Sequence, residues 1–170
     1  NLHQEDLGGG WTLNFTTADS KGRGGVGVLV SPRLRQSVLC QSLSPRLMRV
    51  DLRLRGRNAR LFCAYAPTTA HSEDAGKFYD LLSGHLDAVA QRDTLMVLGD
   101  LNAIVRRSDR APFVTPRENA NTDALVSLME QHDLFELTPL ALPKAKPDGT
   151  PDEPQKIGEY LRISEAKLNK

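Results

Sequence analysis

Asp100 and Asn102 stand two residues apart at the end of the apolar run Thr94-Leu95-Met96-Val97-Leu98-Gly99. In extended backbone, residues i and i+2 point to the same face. A carboxylate and an amide would then project together from the carboxyl end of a strand, the side on which open α/β sheets place their chemistry. That pair suits activation of water beside a phosphate. The same residue types also close turns by bonding to nearby backbone groups, and from the residues alone both readings stand. A calcium loop does not, because it needs a further oxygen ligand two residues on and then a Gly, where this chain has Ile104 and Val105.

The elements that must position these residues are legible as hydrophobic periods. Trp11 to Thr16 alternates as a strand after the Gly8-Gly9-Gly10 breaker, and Lys21-Gly22-Arg23-Gly24 makes a turn. Gly25 to Val30 reads as a buried strand stopped by Pro32, and Ser37 to Leu43 as a third strand. Met48, Val50, Leu52 and Leu54 fall on one face of a half-buried strand, with Arg49, Asp51, Arg53 and Arg55 on the other. The chain turns at Gly56-Arg57-Asn58 and returns as a mostly apolar strand, Ala59 to Tyr65, that stops at Pro67. The period then changes: Phe78, Leu81, Leu82, Leu86 and Val89 form the stripe of a helix that Ser72 could cap. A second amphipathic helix covers about Thr122 to Asp133, with Leu125, Leu128 and Met129 inward and Asn121 or Thr122 capping. Between Asn102 and Asn121 lies a polar loop carrying Arg106, Arg107, Arg110 and Arg117.

Composition excludes several classes. A length of 170 residues fits one domain with a real core, and a formal net charge of +1 excludes an acidic tail or a strongly basic arm. Charge is uneven nonetheless: Arg33, Arg35, Arg46, Arg49, Arg53, Arg55, Arg57 and Arg60 face only Asp51 in that stretch, either a solvated sheet face or a surface for an anionic partner. Cys40 and Cys63 lie in apolar strand-like runs outside any Cys-x-x-Cys pattern and read as buried thiols. His3, His71, His85 and His132 are scattered, so no zinc site is expected. No apolar run reaches the roughly 20 residues that span a bilayer. Gly22-Arg23-Gly24-Gly25-Val26-Gly27 matches the dinucleotide-binding pattern letter for letter, but strand rather than helix follows it, so it lacks the helix N-terminus on which a pyrophosphate would sit.

Three segments then stand in order: Gly24 to Ser31 (Gly-Gly-Val-Gly-Val-Leu-Val-Ser), Ala64 to Thr68 (Ala-Tyr-Ala-Pro-Thr) and Leu98 to Ala103 (Leu-Gly-Asp-Leu-Asn-Ala), with Phe78-Tyr79 in the intervening helix. Their order and spacing resemble the endonuclease/exonuclease/phosphatase (DNase-I-like) family over about residues 11 to 137. Within that family they are most like the endonuclease domains of non-LTR retrotransposons and the craniofacial-development-protein-2-like proteins derived from them. The resemblance implies an α/β (α+β) sandwich of two packed mixed sheets flanked by helices, with a metal-assisted phosphodiesterase site where loops of the two sheets meet. By that resemblance Tyr65 contacts the scissile phosphate, Asp100 orients or deprotonates the attacking water, and Asn102 helps to hold it. It further implies magnesium, with manganese as the alternative, and DNA as the substrate, in an intracellular, in one reading nuclear, setting.

Departures from the family shape the remaining expectations. Family members carry an Asn near their start and a metal-binding Glu within Gln-Glu-Thr ahead of the first glycine-flanked strand. Here Gln4-Glu5-Asp6 sits close to the Gly8-Gly9-Gly10 breaker in no apolar strand, and Glu5 reads as a coincidental match. The expected closing Asp-His is absent, since no His follows His132. Residues 1–137 are therefore read as a partial domain, truncated at both ends and catalytically incomplete, and 138–170 as a Pro-rich linker followed by a short, poorly docked helix within Gln155 to Lys170. Two alternatives stand beside the hydrolase: a non-catalytic remnant that binds nucleic acid or protein through the arginine-rich face, and a phosphatase for small phosphate esters or phosphoinositides.

Overall fold

The computed structural model describes residues 1–68, 72–103, 120–136 and 162–164. Strands β1 (Leu2–Gly8), β2 (Trp11–Thr16) and β3 (Gly27–Val30) form an antiparallel sheet in the order β1-β2-β3. Strands β4 (Val38–Ser44), β5 (Leu47–Leu54), β6 (Arg57–Tyr65), β7 (Thr94–Asp100), β8 (Leu134–Glu136) and β9 (Arg162–Ser164) form the second, ordered β4-β5-β6-β7-β9-β8. Helices α1 (Ser72–Asp87) and α2 (Ala120–Gln131) complete the described elements. The α/β sandwich expected from the sequence is present, with one correction: only the larger sheet is mixed, and its one parallel pair is β6 with β7. A parallel pair needs a crossover, and α1 supplies it.

The main core lies between the larger sheet and the helices. Leu47, Phe62, Ala64, Leu95 and Val97 meet Phe78, Tyr79, Leu82 and Leu86 of α1 and Leu125 and Leu128 of α2. The predicted stripe of α1 holds at Phe78, Leu82 and Leu86, while Leu81 is 37% exposed and Tyr79 takes its place in the core. In β5 the other face, Met48 and Val50, turns toward the small sheet. So β5 is covered on both faces over its first half and runs out into solvent at Leu54, rather than being half buried throughout. Asp51, on the helix side, is buried because Arg49 and Arg60 neutralise it, and Arg60 also reaches the buried Asp93.

The small sheet departs most from expectation. Leu2–Gly8 is a strand although its sequence has no apolar alternation; it is exposed along its whole length and held by backbone pairing to β2. In β2 the alternation is real but inverted: Thr12, Asn14 and Thr16 are buried against the larger sheet, while Trp11 is 43% exposed. Thr16 is held there by bonds to backbone, whereas the Thr12 hydroxyl is buried without a hydrogen-bond partner among the described residues. Thr16 Oγ1 donates to the Pro45 carbonyl at 2.9 Å and accepts from the Val26 N–H at 3.0 Å. Strand β3 is likewise not the buried strand expected, since Leu29 is 53% exposed and Val30 alone of the four is buried. Cys40 and Cys63 are half-buried rather than buried. Burial, then the neighbouring Cys40, pushes the Cys63 thiol up to about 11, and burial, then Asp51, raises Cys40, so both stay protonated at neutral pH.

Arg162–Ser164 falls where a loosely docked helix was expected and is instead a strand seated between β7 and β8. Isolated apolar residues in a proline-broken stretch carry no periodicity from which a three-residue strand could be read. The arginine-bearing loop 104–119 and the remainder of 137–170 lie outside the described residues. No helix among the described residues is long and apolar enough to cross a membrane.

Two outcomes follow for stability. Gly99 has φ +126°, and a Cβ there would land on the Ala64 carbonyl oxygen of the neighbouring strand. Gly99→Ala should lower unfolding stability by about 3 kcal/mol or more in urea titrations. His132, its side chain 7% exposed, lies 3.0 Å from Ser83 Oγ and 3.8 Å from Asp87. Burial lowers its pKa, with Asp87 opposing. The unfolded chain therefore binds more protons just below the ordinary imidazole value of about 6.5, and stability should fall as pH drops through that window. Thermal melts of His132→Gln should show a flatter dependence between about pH 7 and pH 5 than the parent chain.

Candidate active site

Chain direction and register bring the three predicted residues to one sheet rim. Tyr65 ends β6, Asp100 ends β7, and they are register partners in the parallel pair, so their side chains emerge side by side on the same face. The pairing continues one step beyond the strands, where the Ala66 N–H donates to the Asp100 carbonyl at 2.8 Å. Asn102 then closes the group: its side-chain amide donates to the Ala66 carbonyl at 2.6 Å, and its backbone N–H donates to Asp100 Oδ1 at 2.8 Å.

Asn102 reaches the rim by a different route from the one its spacing suggests. It is not in extended chain but in the left-handed region, with φ 46°, a conformation Asn tolerates better than most residues. The bond from its N–H to the Asp100 carboxylate two residues back is an Asx turn. The turn reading holds for these residues, and the turn leaves Asp100 and Asn102 at the rim that Tyr65 shares. The turn fixes the carboxylate through Oδ1; Asp100 is exposed, and Oδ2 has no partner among the described residues. A carboxylate oxygen left open in this way can accept a proton.

Buried groups behind the rim hold its loops. Asn121 was expected as a cap of α2, but it lies within the helix's first turn, 1% exposed, and its amide donates to the Pro67 carbonyl at 2.8 Å and to the Asn102 carbonyl at 3.1 Å. It ties the chain leaving β6 to the chain leaving β7. Tyr79 OH, from α1, donates to the Leu101 carbonyl at 2.7 Å. An Asn beside a helix start reads as a cap from sequence, and no pattern distinguishes one that bonds to distant carbonyls. Arg46 is a further resident that sequence placed only in the arginine-rich stretch: its guanidinium carbon sits 5.0 Å from the Tyr65 ring centre.

One expectation holds here and one changes. Glu5 pairs with Leu13, three residues along β1 from Leu2, which pairs with Thr16 at the end near Pro45; at about 3.3 Å per residue it lies some 10 Å down the ribbon. The arginine-rich face is not one surface. Arg49 and Arg60 are spent on Asp51 and Asp93, Arg35 meets Asp6, and Arg46 belongs to the rim. Among the described residues no group of three His, Cys, Asp or Glu could hold a metal ion. Asp100 and Asn102 offer oxygen donors of the kind magnesium takes, but as one carboxylate and one amide they do not by themselves fit a resident divalent ion.

No family model matches the chain. Craniofacial development protein 2 of Bos taurus is 31% identical over 97 residues, which are 56% of this chain and 16% of that protein. Among solved structures, the endonuclease domain of TRAS1, a telomere-specific non-LTR retrotransposon, superposes with a TM-score of 0.62 at 16% identity, covering 99% of this chain and 74% of that one. The chain has the endonuclease/exonuclease/phosphatase fold. An endonuclease/exonuclease/phosphatase family protein from Leptotrichia buccalis C-1013-b matches with a TM-score of 0.52 at 11% identity, over 91% of this chain and 60% of the other. The resemblance carried by the three sequence motifs is borne out by these matches. The chain spans under a fifth of its curated relative's length and about three-fifths to three-quarters of the two solved domains.

Asn121 allows a check of how the rim of this fold is held. Asn121→Ala leaves one buried and one partly buried carbonyl without this donor and should cost about 2 kcal/mol. Asn121→Asp should cost more at neutral pH, because a carboxylate would face both carbonyl oxygens. Chemical denaturation of the two variants decides it, and equal stability of parent and Asp variant would remove the tie.

Proposed function

We propose that this chain is a phosphodiesterase domain of the endonuclease type, acting on DNA. The observation that carries the reading is the pairing of Tyr65 with Asp100 across adjacent parallel strands, with Asn102 bonded to both strand exits. Tyr65 contacts the phosphate, Asp100 accepts a proton from the attacking water at Oδ2, and Asn102 holds the carboxylate and the turn in place. Attack by water with proton transfer to a positioned carboxylate is general base catalysis, which contributes about 10²–10⁴-fold. The likeness in fold supports a divalent-metal requirement, magnesium or manganese, that Asp100 and Asn102 would not meet by themselves.

Asp100 is the one carboxylate the described rim brings to that task, and the sequence has no His after His132. These 170 residues are accordingly proposed to be catalytically incomplete. Strand β9 extends the proposed domain past residue 137. The likeness to an endonuclease domain supports a nucleic-acid partner, and a nuclear setting belongs to the same proposal. Pairing of Arg35, Arg49 and Arg60 with carboxylates reduces the arginine-rich face of the non-catalytic alternative to Arg53, Arg55 and Arg57 on the exposed β5–β6 hairpin and to Arg33, and nothing described at the rim selects a small phosphate ester.

Nicking of supercoiled plasmid with magnesium tests this reading. Activity should be weak, lost with chelator, and reduced at least about 100-fold by Asp100→Ala. Equal nicking by parent and Asp100→Ala would overturn the assignment of Asp100, and vigorous nicking abolished by that substitution would overturn the incompleteness.

A further inference from the structure

We propose that Arg46 binds phosphate at this rim, gripping a phosphodiester oxyanion beside Tyr65; the location of the ligand rests on the phosphodiesterase reading above. Of the other described arginines, Arg23 is paired with Asp19 and Asp74, Arg35 with Asp6, Arg49 and Arg60 with Asp51, and Arg60 also with Asp93, while Arg33, Arg53, Arg55, Arg57 and Arg92 stand exposed away from the Tyr65 ring. Arg46 has no ion pair among the described residues. It is held by other means. Its guanidinium lies 5.0 Å from the Tyr65 ring centre, and Nη1 donates to the Tyr65 carbonyl at 3.4 Å. Stacking uses the flat face of the guanidinium and leaves its N–H edge for a planar or tetrahedral oxyanion.

Its backbone and stem are fixed as well. The Tyr65 N–H donates to the Arg46 carbonyl at 2.9 Å, and Gly25 N–H and Thr16 Oγ1 both donate to the carbonyl of Pro45, at 2.8 and 2.9 Å. Gly24, with φ +99°, comes so close that a Cβ there would stand 3.1 Å from Arg46 Cγ and 3.0 Å from the Pro45 carbonyl oxygen. The glycine turn of the small sheet is therefore a wall against which the arginine stem is laid. A cation so constrained loses little freedom on binding, which is what makes a charge effective in recognition.

Electrostatics at the rim require such a charge. Tyr65 and Asp100 are register partners, so an anion seated at Tyr65 meets the carboxylate of Asp100. The Arg46 guanidinium, on Tyr65 itself, is the described cation placed to offset that repulsion. A guanidinium binds a phosphate oxyanion through paired N–H···O bonds, a geometry that a lysine ammonium does not reproduce.

The test measures binding apart from turnover. Fluorescence anisotropy of a short labelled DNA duplex, in chelator so that no cleavage occurs, should give a dissociation constant about tenfold weaker for Arg46→Gln than for the parent. The slope of log K against log salt should fall by about one. Arg46→Lys should restore the slope but not the affinity, while Arg53→Gln, on the exposed β5–β6 hairpin, should leave the affinity within about twofold and lower the slope by less than half a unit. Titration of the parent with inorganic phosphate, followed through the Arg46 Nε–Hε resonance, gives a readout independent of whether the Gln variant folds. Unchanged affinity and slope in a folded Arg46→Gln overturn the role of Arg46 alone, leaving the nicking contrast with Asp100→Ala to stand. A parent chain with neither DNA binding nor a phosphate-induced shift overturns the Arg46 proposal, whatever nicking shows.

Discussion

The parallel pairing of β6 with β7 is the constraint on which the rest depends. It sets Tyr65 beside Asp100, and it continues past the strand ends through the Ala66 N–H bonded to the Asp100 carbonyl. Antiparallel neighbours would carry Tyr65 and Asp100 to opposite rims. Because parallel strands need a long crossover, α1 must pack on the sheet, and its apolar stripe with that of α2 makes the main core. Close approach of the two strands in turn requires a residue without a side chain at Gly99, immediately before the carboxylate. Fold and site share the same backbone contacts.

Electrostatic economy is local rather than global. A stretch with eight arginines and one acid suggests a broad positive surface, yet folding separates those residues by strand face and by element. Asp51 and Asp93 lie far apart in sequence and are both buried; they draw Arg49 and Arg60 onto the helix side of the sheet. Burying a carboxylate is costly unless it is paired, so these arginines are committed to stability. The charge left at the rim is set by which arginine escapes such pairing, and linear charge counts cannot report that.

Elements with strong periodicity were legible from sequence: β2, β4 to β7 and both helices lie within a few residues of their expected places. The motif order also pointed to the family fold, because three short segments at fixed spacing constrain topology more than any one constrains function. What was not legible has physical causes. Strand β1 is an exposed edge held by backbone bonds, which leave no side-chain pattern. Strand β2 buries Thr12, Asn14 and Thr16, the last through bonds to backbone, and so inverts the rule that apolar residues face inward. Arg162–Ser164 is placed by partners distant in sequence. At the rim, Asp100, Asn102 and Tyr65 were found by spacing and resemblance, whereas Asn121 and Arg46 act through contacts whose partners are many residues away.

Asn102 shows why the turn reading and the catalytic reading of a short polar motif need not compete. An Asx turn consumes one oxygen of Asp100, which on a simple count of acceptors diverts it from chemistry. The effect is the reverse, since a free carboxylate on an exposed strand end rotates about two side-chain bonds, and a bond to Oδ1 removes that freedom. Oδ2 is then aimed by the backbone itself. Asn is suited to the following position because its left-handed conformation lets the N–H point back, while its own amide crosses to Ala66 and locks the turn to the strand that carries Tyr65. Gly would accept the conformation but lose the cross-strand bond, and Ala would lose the bond and strain the backbone as well. The residue types that make the turn stable are those that hold the carboxylate rigid at the rim.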